Sequence, residues 1–371
     1  MSETAEKKMT MMDYVLESPE CMIKNVDRSK ELTKTLVDAF TSGNYKTIWI
    51  IASGSSCNGS NCARAFMRHY MGVEIKIVTP FTFTNYENNL TDEDFAFVIS
   101  QSGYSTNSIA ALEKLKEMGK KAIGITGNLN SDFKDYADTL IEYGVGIETV
   151  GYVTKGVTTL AEFLMLFALE AALVKKKLSE SEVNALKAEI KKCGDAHKVV
   201  IEETLAFYQT NYKALTSMTS AYVCGFGASY GTAMEGALKI GETIQIPSVA
   251  YEAEEFIHGP NLQLTPNYTL FFIDGDDQCS KRMIEIYHAV RQISDKAFII
   301  TNDKSVDDAH AIRMPFATNS LIAPLYCLPF FQIIADKVTT DLHLWEKHPL
   351  YGAFKANVAC KTENYINTDP E

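Results

Sequence analysis

Serine and threonine residues are concentrated in one short stretch of this sequence, between an apolar segment and an amphipathic one. In "FVISQSGYSTNSIAALEKLKE", residues 97–117, they are Ser100, Ser102, Ser105, Thr106 and Ser108. The residues before them predict a buried strand and those after them a helix, so the hydroxyls are expected at a helix N-terminus. Backbone N–H groups and the positive end of the helix dipole favour an anion there. Hydroxyls add donors without adding charge, so this stretch predicts a site for a phosphate group.

A second loop has the same composition. "TIWIIASGSS" ends a predicted strand on Ser53, Gly54, Ser55 and Ser56. In open parallel α/β sheets, ligands lie beyond the carboxyl ends of the strands, where both loops are expected. The two loops could therefore close on one phosphate. The alternative is that the hydroxyls only cap helices and form turns, but two such loops in one unit favour the ligand.

Strands alternate with helices of ten to fifteen residues along the chain, which is typical of a parallel α/β sheet. An N-terminal helix is predicted to begin at Ser18 and Pro19, a cap followed by proline at the first helical position. Residues 158–177 and 180–215 look helical without an intervening strand. They predict a helical connector between two lobes.

The pattern then repeats. "YVCGFGASYGTAMEGALK" aligns with "WIIASGSSCNGSNCARAF", which pairs Gly227 with Gly54, and "YTLFFIDGDD" aligns with "DFAFVISQSG" at the same spacing. The sequence therefore predicts a tandem duplication of one α/β domain. The second copy has Asp274 and Asp276 where the first has hydroxyls. Because carboxylates repel an anion, one phosphate site per chain is expected, in the first copy.

The predicted organisation has five parts. Residues 1–44 form an N-terminal helical segment and 45–178 the first, phosphate-binding domain. Residues 179–215 form the helical connector, 216–340 the second domain and 341–371 a C-terminal tail.

Composition excludes several classes of partner. A net charge of −12 with no basic tract argues against nucleic acid and against an anionic membrane. No run of about eighteen apolar residues occurs, so no transmembrane helix is predicted, and the start of the chain lacks a secretory signal. The eight cysteines and seven histidines do not have metal or disulfide spacings. A cytoplasmic protein without a metal or other cofactor is expected.

In combination, five motifs resemble a known family. They are "ASGSS", "SQSGYST", "VTKGVTT", "MEGALKIGE" and "EEFIHGP", in that order. The chain is similar from about residue 45 to the tandem sugar isomerase (SIS) domain proteins. Within that family, its motifs most resemble those of the isomerase half of glucosamine-6-phosphate synthase and of the fructosamine-6-phosphate deglycases. The resemblance implies two tandem flavodoxin-like domains and a sugar-phosphate substrate.

The resemblance also implies roles for individual residues. Those expected to bind substrate are Gly54, Ser55, Ser56, Ser100, Gln101, Ser102, Ser105, Thr154, Lys155, Glu235 and Lys239. Those expected in catalysis are Glu242 as the carboxylate, His258 as the group that assists ring opening, and Lys355 as a possible match to a Schiff-base lysine. Because relatives borrow this histidine from a neighbouring subunit, a homodimer with a shared active site is expected.

Each of these residues also has a structural explanation. Glu242 follows Lys239 by three residues, so the two could form a surface ion pair, and Glu235 could also pair with Lys239. His258 could be a turn residue, and Lys155 could support its loop. The acidic run at residues 252–255 is either a solvated face or a site that attracts an ammonium group. The role of Lys355 stays open between active site and surface.

The expected activity is that of a deglycase, cleaving a 6-phosphorylated fructosamine such as fructoselysine 6-phosphate to glucose 6-phosphate and a free amine. The alternative is an isomerase or deaminase of the glucosamine-6-phosphate type, and a less favoured one is a non-catalytic sugar-phosphate sensor. The resemblance does not extend to the glutaminase domain of the synthase, so no glutamine-dependent activity is expected, and Gly241 stands where the synthase has a lysine.

Overall fold

The computed structural model describes residues 9–306, 309–313 and 319–366. It contains two parallel sheets of five strands each. The strands of the first sheet are β1 (Thr47–Ala52), β2 (Glu74–Val78), β3 (Asp94–Ile99), β4 (Ile123–Thr126) and β5 (Thr139–Glu142). Those of the second are β6 (Ala221–Gly225), β7 (Ser248–Glu252), β8 (Thr269–Ile273), β9 (Ala297–Ile300) and β10 (Ala311–Ile312). The predicted fold class is confirmed.

Helices flank both sheets. They are α1 (Met11–Asp27), α2 (Ser29–Thr41), α3 (Gly54–Met71), α4 (Pro80–Asn85), α5 (Thr106–Glu117), α6 (Phe133–Tyr136), α7 (Lys155–Val174), α8 (Glu180–Thr210), α9 (Tyr212–Thr216), α10 (Gly227–Lys239), α11 (Ala253–Ile257), α12 (Ser280–Arg291), α13 (Ala323–Asp341) and α14 (Tyr351–Asn357). The predicted connector region is helical, as α7, α8 and α9.

The two sheets have the same topology. Their strand orders are β2-β1-β3-β4-β5 and β7-β6-β8-β9-β10, all parallel. The first loop of each copy also has the same backbone turn: Gly54 opens α3 at φ +55° and Gly227 opens α10 at φ +50°. Left-handed φ angles favour glycine. The shared turn and topology confirm the duplication read from the sequence.

The two domains meet through α3 and α10. These helices come so close that a Cβ on Gly231 of α10 would lie 2.4 Å from the backbone nitrogen of Cys62 on α3. One hydrophobic core joins the inner faces of both sheets to α7 and α13. The close packing brings the N-terminal end of α3 beside the C-terminal end of α10. This is the place where the polar residues of both copies gather.

The N-terminal helix begins earlier than the sequence pattern predicted. It starts at Met11, with a reciprocal capping box between Thr10 and Asp13, and Pro19 lies inside the helix. The prediction of a start at Ser18 and Pro19 is therefore wrong. Proline lowers helix stability locally, but α1 packs on α7, α8 and α13 with Pro19 buried, and this tertiary packing outweighs the local preference. The predicted segments 1–44 and 341–371 extend beyond the described residues.

Within the described part of the chain, two helices are long and apolar enough to span a membrane by length and composition alone, one being α7 and the other Ser320–Asp341. Most of each is buried inside the protein. Burial between the sheets accounts for their apolar character, so they are weak evidence for a membrane span.

Candidate functional site

The serine-rich loop between β3 and α5 is shaped by its own hydroxyls. Ser100 Oγ donates to Ser105 Oγ at 3.1 Å and accepts from the Gly103 N–H at 3.2 Å. Gly103 has φ +72°, and a Cβ there would collide with Ser131. The side-chain amide of Asn107 donates to Ser53 Oγ at 3.1 Å, which joins this loop to the one after β1. The two hydroxyl loops are therefore neighbours at one edge of the sheet.

The C-terminal tail crosses the same loop. Ser105 and Lys361 form an antiparallel bridge, and Lys361 Nζ donates to Ser102 Oγ at 2.7 Å and to Ser105 Oγ at 3.1 Å. Tyr365 packs on Tyr104 with ring centroids 5.7 Å apart. Burial lowers the pKa of Lys361. A lysine thus lies where the sequence predicted a phosphate group.

Lys361 is not among the residues predicted from the sequence, where Lys355 is the tail lysine expected at the site. Lys355 lies on α14, where every residue is exposed. Its catalytic role stays a prediction, and it is the lysine six positions later that contacts the serine loop. The signal that could have identified Lys361 is weak, since the residues around both lysines lack a distinctive motif.

The loop after β1 reaches into the second domain. Gly54 is exposed at the start of α3, whereas Ser55 and Ser56 are buried. Ser55 Oγ donates to Glu235 Oε1 at 2.9 Å, and the Asn58 amide donates to Glu235 Oε2 at 2.9 Å. Glu235 is fully buried on α10, and burial raises its pKa although Lys239 opposes the shift. The carboxylate of one domain is thus held by side chains of the other.

Lys239 forms the centre of this polar cluster. It is fully buried, lies 3.2 Å from Glu235 Oε1, donates to Ser55 Oγ at 3.3 Å and pairs with Glu242 Oε1. Burial alone would lower the pKa of Lys239, but attraction to Glu235 and Glu242 outweighs it and raises the pKa. The Lys239–Glu242 ion pair exists, but the lysine is inaccessible, so this is not a surface pair.

Glu242 lies in an unusual backbone segment. Residues Ile240–Ile244 form a π-helical turn at the end of α10, and Gln245 follows in the left-handed region at φ +64°. Such π-helical turns occur frequently at functional sites. Lys347 Nζ donates to the Glu242 carbonyl at 2.6 Å, and the Gln245 amide donates to two carbonyls of the tail, at Leu344 and Glu346. The side chain of Glu242 is 29% exposed, so the carboxylate is both anchored and accessible.

A second carboxylate was not identified from the sequence. Glu148 accepts backbone N–H bonds from Thr154 at 2.8 Å, Lys155 at 3.0 Å and Gly156 at 3.1 Å, at the N-terminus of α7. Burial raises the pKa of the Glu148 carboxyl to about 7. Together with Gln101 and Ser102 it lines a cavity of about 210 Å³. In the sequence, Glu148 lies outside the motifs, seven residues before Lys155 of "VTKG", and only this nearness to a motif could have drawn attention to it.

The side chains of two residues from the "VTKG" motif make their contacts outside the hydroxyl loops. Lys155 is buried, and its Nζ pairs with Glu17 Oε2 at 2.8 Å beside the ring of Tyr14. Thr154 Oγ1 donates to the Tyr152 carbonyl at 2.7 Å. Both contacts support the loop that precedes α7.

His258 is exposed at the end of α11, where its backbone N–H donates to the Glu255 carbonyl. Among the hydrogen bonds of the described residues, none joins His258 to Glu242. The predicted sharing of this histidine between subunits is not tested by one chain.

In the second copy, Asp274 organises the loop that replaces the serine loop. It accepts hydrogen bonds from Ser280 Oγ at 2.6 Å and from Thr301 Oγ1 at 2.7 Å. The two copies therefore use the same position differently, with hydroxyls in one and a carboxylate in the other. Among the described residues, no group of three or more His, Cys, Asp or Glu side chains is placed to hold a metal ion.

Fold and site together define a duplicated α/β protein in which polar residues of both domains meet where α3 packs on α10. The SIS domain model matches residues 44–169 and 214–330. The chain therefore belongs to the SIS domain family.

Individual relatives agree with this assignment. The chain is 27% identical over 345 residues to a glutamine–fructose-6-phosphate aminotransferase [isomerizing] from Clostridium tetani, covering 90% of this chain and 54% of that protein. It thus spans about half the length of that relative.

Solved structures show the same fold. One, from Clostridium difficile 630 and only provisionally assigned as a phosphosugar isomerase, has a TM-score of 0.83 at 24% identity and covers 96% of this chain and 100% of that one. A glucosamine-6-phosphate deaminase from Thermotoga maritima has a TM-score of 0.66 at 17% identity. The match covers 89% of this chain and 95% of that one.

Proposed function

We propose that this protein is a deglycase that cleaves a 6-phosphorylated fructosamine to glucose 6-phosphate and a free amine. The observation that carries the proposal is the position of Glu242, paired with the buried Lys239, which in turn contacts Ser55 of the phosphate loop. This contact links a partly exposed carboxylate to the hydroxyl loops at the N-termini of α3 and α5. Such an arrangement supports proton transfer on a substrate whose phosphate is held by those loops.

The phosphate end is assigned to the serine loop. Ser100, Gln101, Ser102 and Ser105 supply donors at the N-terminus of α5, where the helix dipole favours an anion. Lys361 already touches Ser102 and Ser105, so its ammonium would lie against the phosphate. One lysine provides the positive charge that hydroxyls lack, in a protein whose net charge is −12.

The chemistry needs a base near carbon. Glu242 removes a proton from C1 of the open-chain fructosamine, and a proton from water on the C2 oxygen completes an enaminol. Protonation at C2 then gives an imine between C1 and the amine nitrogen. Water adds to the imine carbon, and the amine leaves with a proton to give the aldose phosphate. Carboxylates perform such proton transfers when their geometry is fixed, and here the π-helical turn and Lys347 fix the backbone of Glu242.

Ring opening needs a second proton carrier. Histidine titrates near neutral pH and suits this role. His258 is exposed and makes no described contact with Glu242 of its own chain, so we assign it to the cleft of a second subunit in a homodimer.

The alternative activity is isomerisation or deamination of a glucosamine 6-phosphate-type substrate. It is favoured by the fold shared with the Thermotoga maritima glucosamine-6-phosphate deaminase and uses the same base and the same phosphate loop. The two activities differ in the carbon that bears nitrogen, which is C1 in the fructosamine and C2 in glucosamine 6-phosphate. The direction of proton transfer between C1 and C2 differs accordingly.

The test is a pair of product-specific assays, one for glucose 6-phosphate and one for fructose 6-phosphate. The substrates are fructoselysine 6-phosphate and glucosamine 6-phosphate, with wild type, Glu242→Gln and the matched exposed variant Glu255→Gln. We expect glucose 6-phosphate from the fructosamine, a loss of roughly 10³-fold in kcat for Glu242→Gln, and wild-type rates for Glu255→Gln.

Other results select other functions. Fructose 6-phosphate from glucosamine 6-phosphate alone would establish the alternative activity. Binding of both sugar phosphates without turnover of either would leave a sensor as the remaining reading.

A further inference from the structure

A pocket separate from the hydroxyl loops lies between the start of α1, the loop before α7, the end of α13 and the tail. Its volume is about 440 Å³, within the range of small-molecule sites. Its walls are mostly apolar and include Met9, Met12, Val150, Tyr152 and Trp345.

Two charged residues of α13 complete this pocket. Asp336 is only 5% exposed, accepts a hydrogen bond from the backbone of Met12, and has a pKa raised by burial. Lys337 is the next residue and also lines the pocket. A buried carboxylate such as that of Asp336 is stabilised by a cationic partner, for example the ammonium of a ligand. The ammonium of Lys337 can likewise pair with a carboxylate of the ligand. The pocket is therefore complementary to the ammonium and carboxylate of an amino acid.

The wall of the pocket is connected to Glu242. Trp345 and Tyr152 pack with ring centroids 5.7 Å apart. Lys347 lies 4.8 Å from the centre of the Tyr152 ring, and the same ammonium donates to the Glu242 carbonyl at 2.6 Å. One lysine side chain thus spans from the backbone of the proposed base to the aromatic wall. The serine loop contacts a different part of the tail, around Lys361, so different parts of the tail reach the serine loop and this pocket.

We propose that this pocket binds the amino-acid end of the leaving amine, with Asp336 contacting its ammonium, Lys337 its carboxylate, and Tyr152 and Trp345 its aliphatic chain. The inference rests on the proposed deglycase function and gives the amine end of its substrate a place in the fold. It places recognition on α13 and not on the acidic run at residues 252–255, where Glu254 is paired with Arg282.

A binding experiment tests the pocket without catalysis. The probe is free norleucine, which has the aliphatic chain and the amino-acid head, and the matched probe is hexanoate, which lacks the ammonium. Isothermal titration calorimetry on wild type should detect norleucine, with binding weakened at least roughly tenfold in Asp336→Asn. Hexanoate should bind equally to wild type and Asp336→Asn, and Glu255→Gln should bind norleucine as wild type does.

Kinetics provide the second measurement. Wild type should prefer fructoselysine 6-phosphate over the 6-phosphorylated fructosamine of n-pentylamine by at least roughly tenfold in kcat/KM. Asp336→Asn should abolish this preference and leave the pentylamine adduct unaffected. Trp345 fluorescence can follow the same titrations, since Trp49, the other tryptophan of the chain, is buried on β1.

The outcomes separate the two proposals. Norleucine binding that depends on Asp336, with neither adduct cleaved, would refute the deglycase and keep the pocket. Cleavage of both adducts without preference, or a preference that survives in Asp336→Asn, would refute the pocket and keep the deglycase. Loss of the preference in Glu255→Gln would move recognition to the acidic run.

Discussion

Ser55 of the first domain donates a 2.9 Å hydrogen bond to Glu235 of the second, and both side chains are buried. Because Glu235 also contacts Lys239, which pairs with Glu242, the phosphate loop and the proposed base belong to one hydrogen-bonded cluster. Neither domain contains this cluster by itself, so the interface between the copies creates the site.

Glu235→Gln should destabilise the protein, because it removes one of two carboxylates from the fully buried Lys239. Breaking a buried ion pair typically costs about 3–5 kcal/mol in the free energy of unfolding, and the remaining pair with Glu242 should hold the loss near the lower value. Urea unfolding of wild type and variant measures this loss in the free energy of unfolding. The control is Glu93→Gln, whose partner Lys46 is exposed, with an expected loss below about 1 kcal/mol. Equal losses in the two variants would contradict the buried cluster.

Lys361→Ala should reduce kcat/KM by roughly 10²-fold, since it removes the one charged donor seen against Ser102 and Ser105 among the described residues. Lys355→Ala should stay within about twofold of wild type, because Lys355 is exposed on α14. Steady-state kinetics, with the substrate that the product assays identify, decide between the two lysines. If Lys355→Ala loses as much activity as Lys361→Ala, the assignment drawn from the tail geometry is wrong.

Glu148→Gln should change how stability depends on pH. The carboxyl has a pKa of about 7 in the folded protein, against an ordinary value of 4.5. Between pH 4.5 and pH 7 the folded state binds a proton at Glu148 that the unfolded state has lost. The contribution of Glu148 to the free energy of unfolding is therefore present below pH 4.5 and is lost as the pH rises towards 7. The full effect is roughly 3 kcal/mol. Denaturation at several pH values should show a shallower decline for the variant across this window.

The control for this experiment is Glu182→Gln. Hydrogen bonds from Ser179 lower the pKa of exposed Glu182, so its contribution is present at neutral pH and lost only as pH falls below 4.5. A Glu148→Gln profile parallel to wild type from pH 5 to 7 would show that this carboxyl does not titrate in that range.

Mixing two inactive variants tests the shared site. Glu242→Gln and His258→Gln should each be inactive alone. After unfolding and refolding together, random pairing in a twofold-symmetric dimer should restore about a quarter of the wild-type activity, because each mixed dimer regains one complete site. Restoration is measured by the same product assay. No restoration, with mixed dimers confirmed by mass spectrometry, would place both residues in one chain's site.

Local patterns were sufficient for much of this fold. The five strands of the first copy, the loops at Gly54 and Gly227, and the repeat that includes β6, β8 and β9 follow from hydrophobic periodicity and backbone preferences, which act over a few residues. The short strands β7 and β10 were not predicted. The same is true of the serine loop, because a strand followed by hydroxyls and a helix determines its own geometry. The start of α1 was placed wrongly because packing of Pro19 against neighbouring helices overrides a local capping preference.

The sequence by itself thus determined the duplicated α/β architecture and the hydroxyl loops, and its resemblance to the SIS domain family identified Glu242 as a candidate base. Only the tertiary structure decided that Lys361 and not Lys355 reaches the serine loop, that Glu148 caps α7, and that Lys239 is buried between two carboxylates. The physical reason is distance along the chain. Ser102 and Lys361, or Ser55 and Glu235, are brought together by the packing of α3 on α10 and by the path of the tail, and no local pattern records which distant residues will meet.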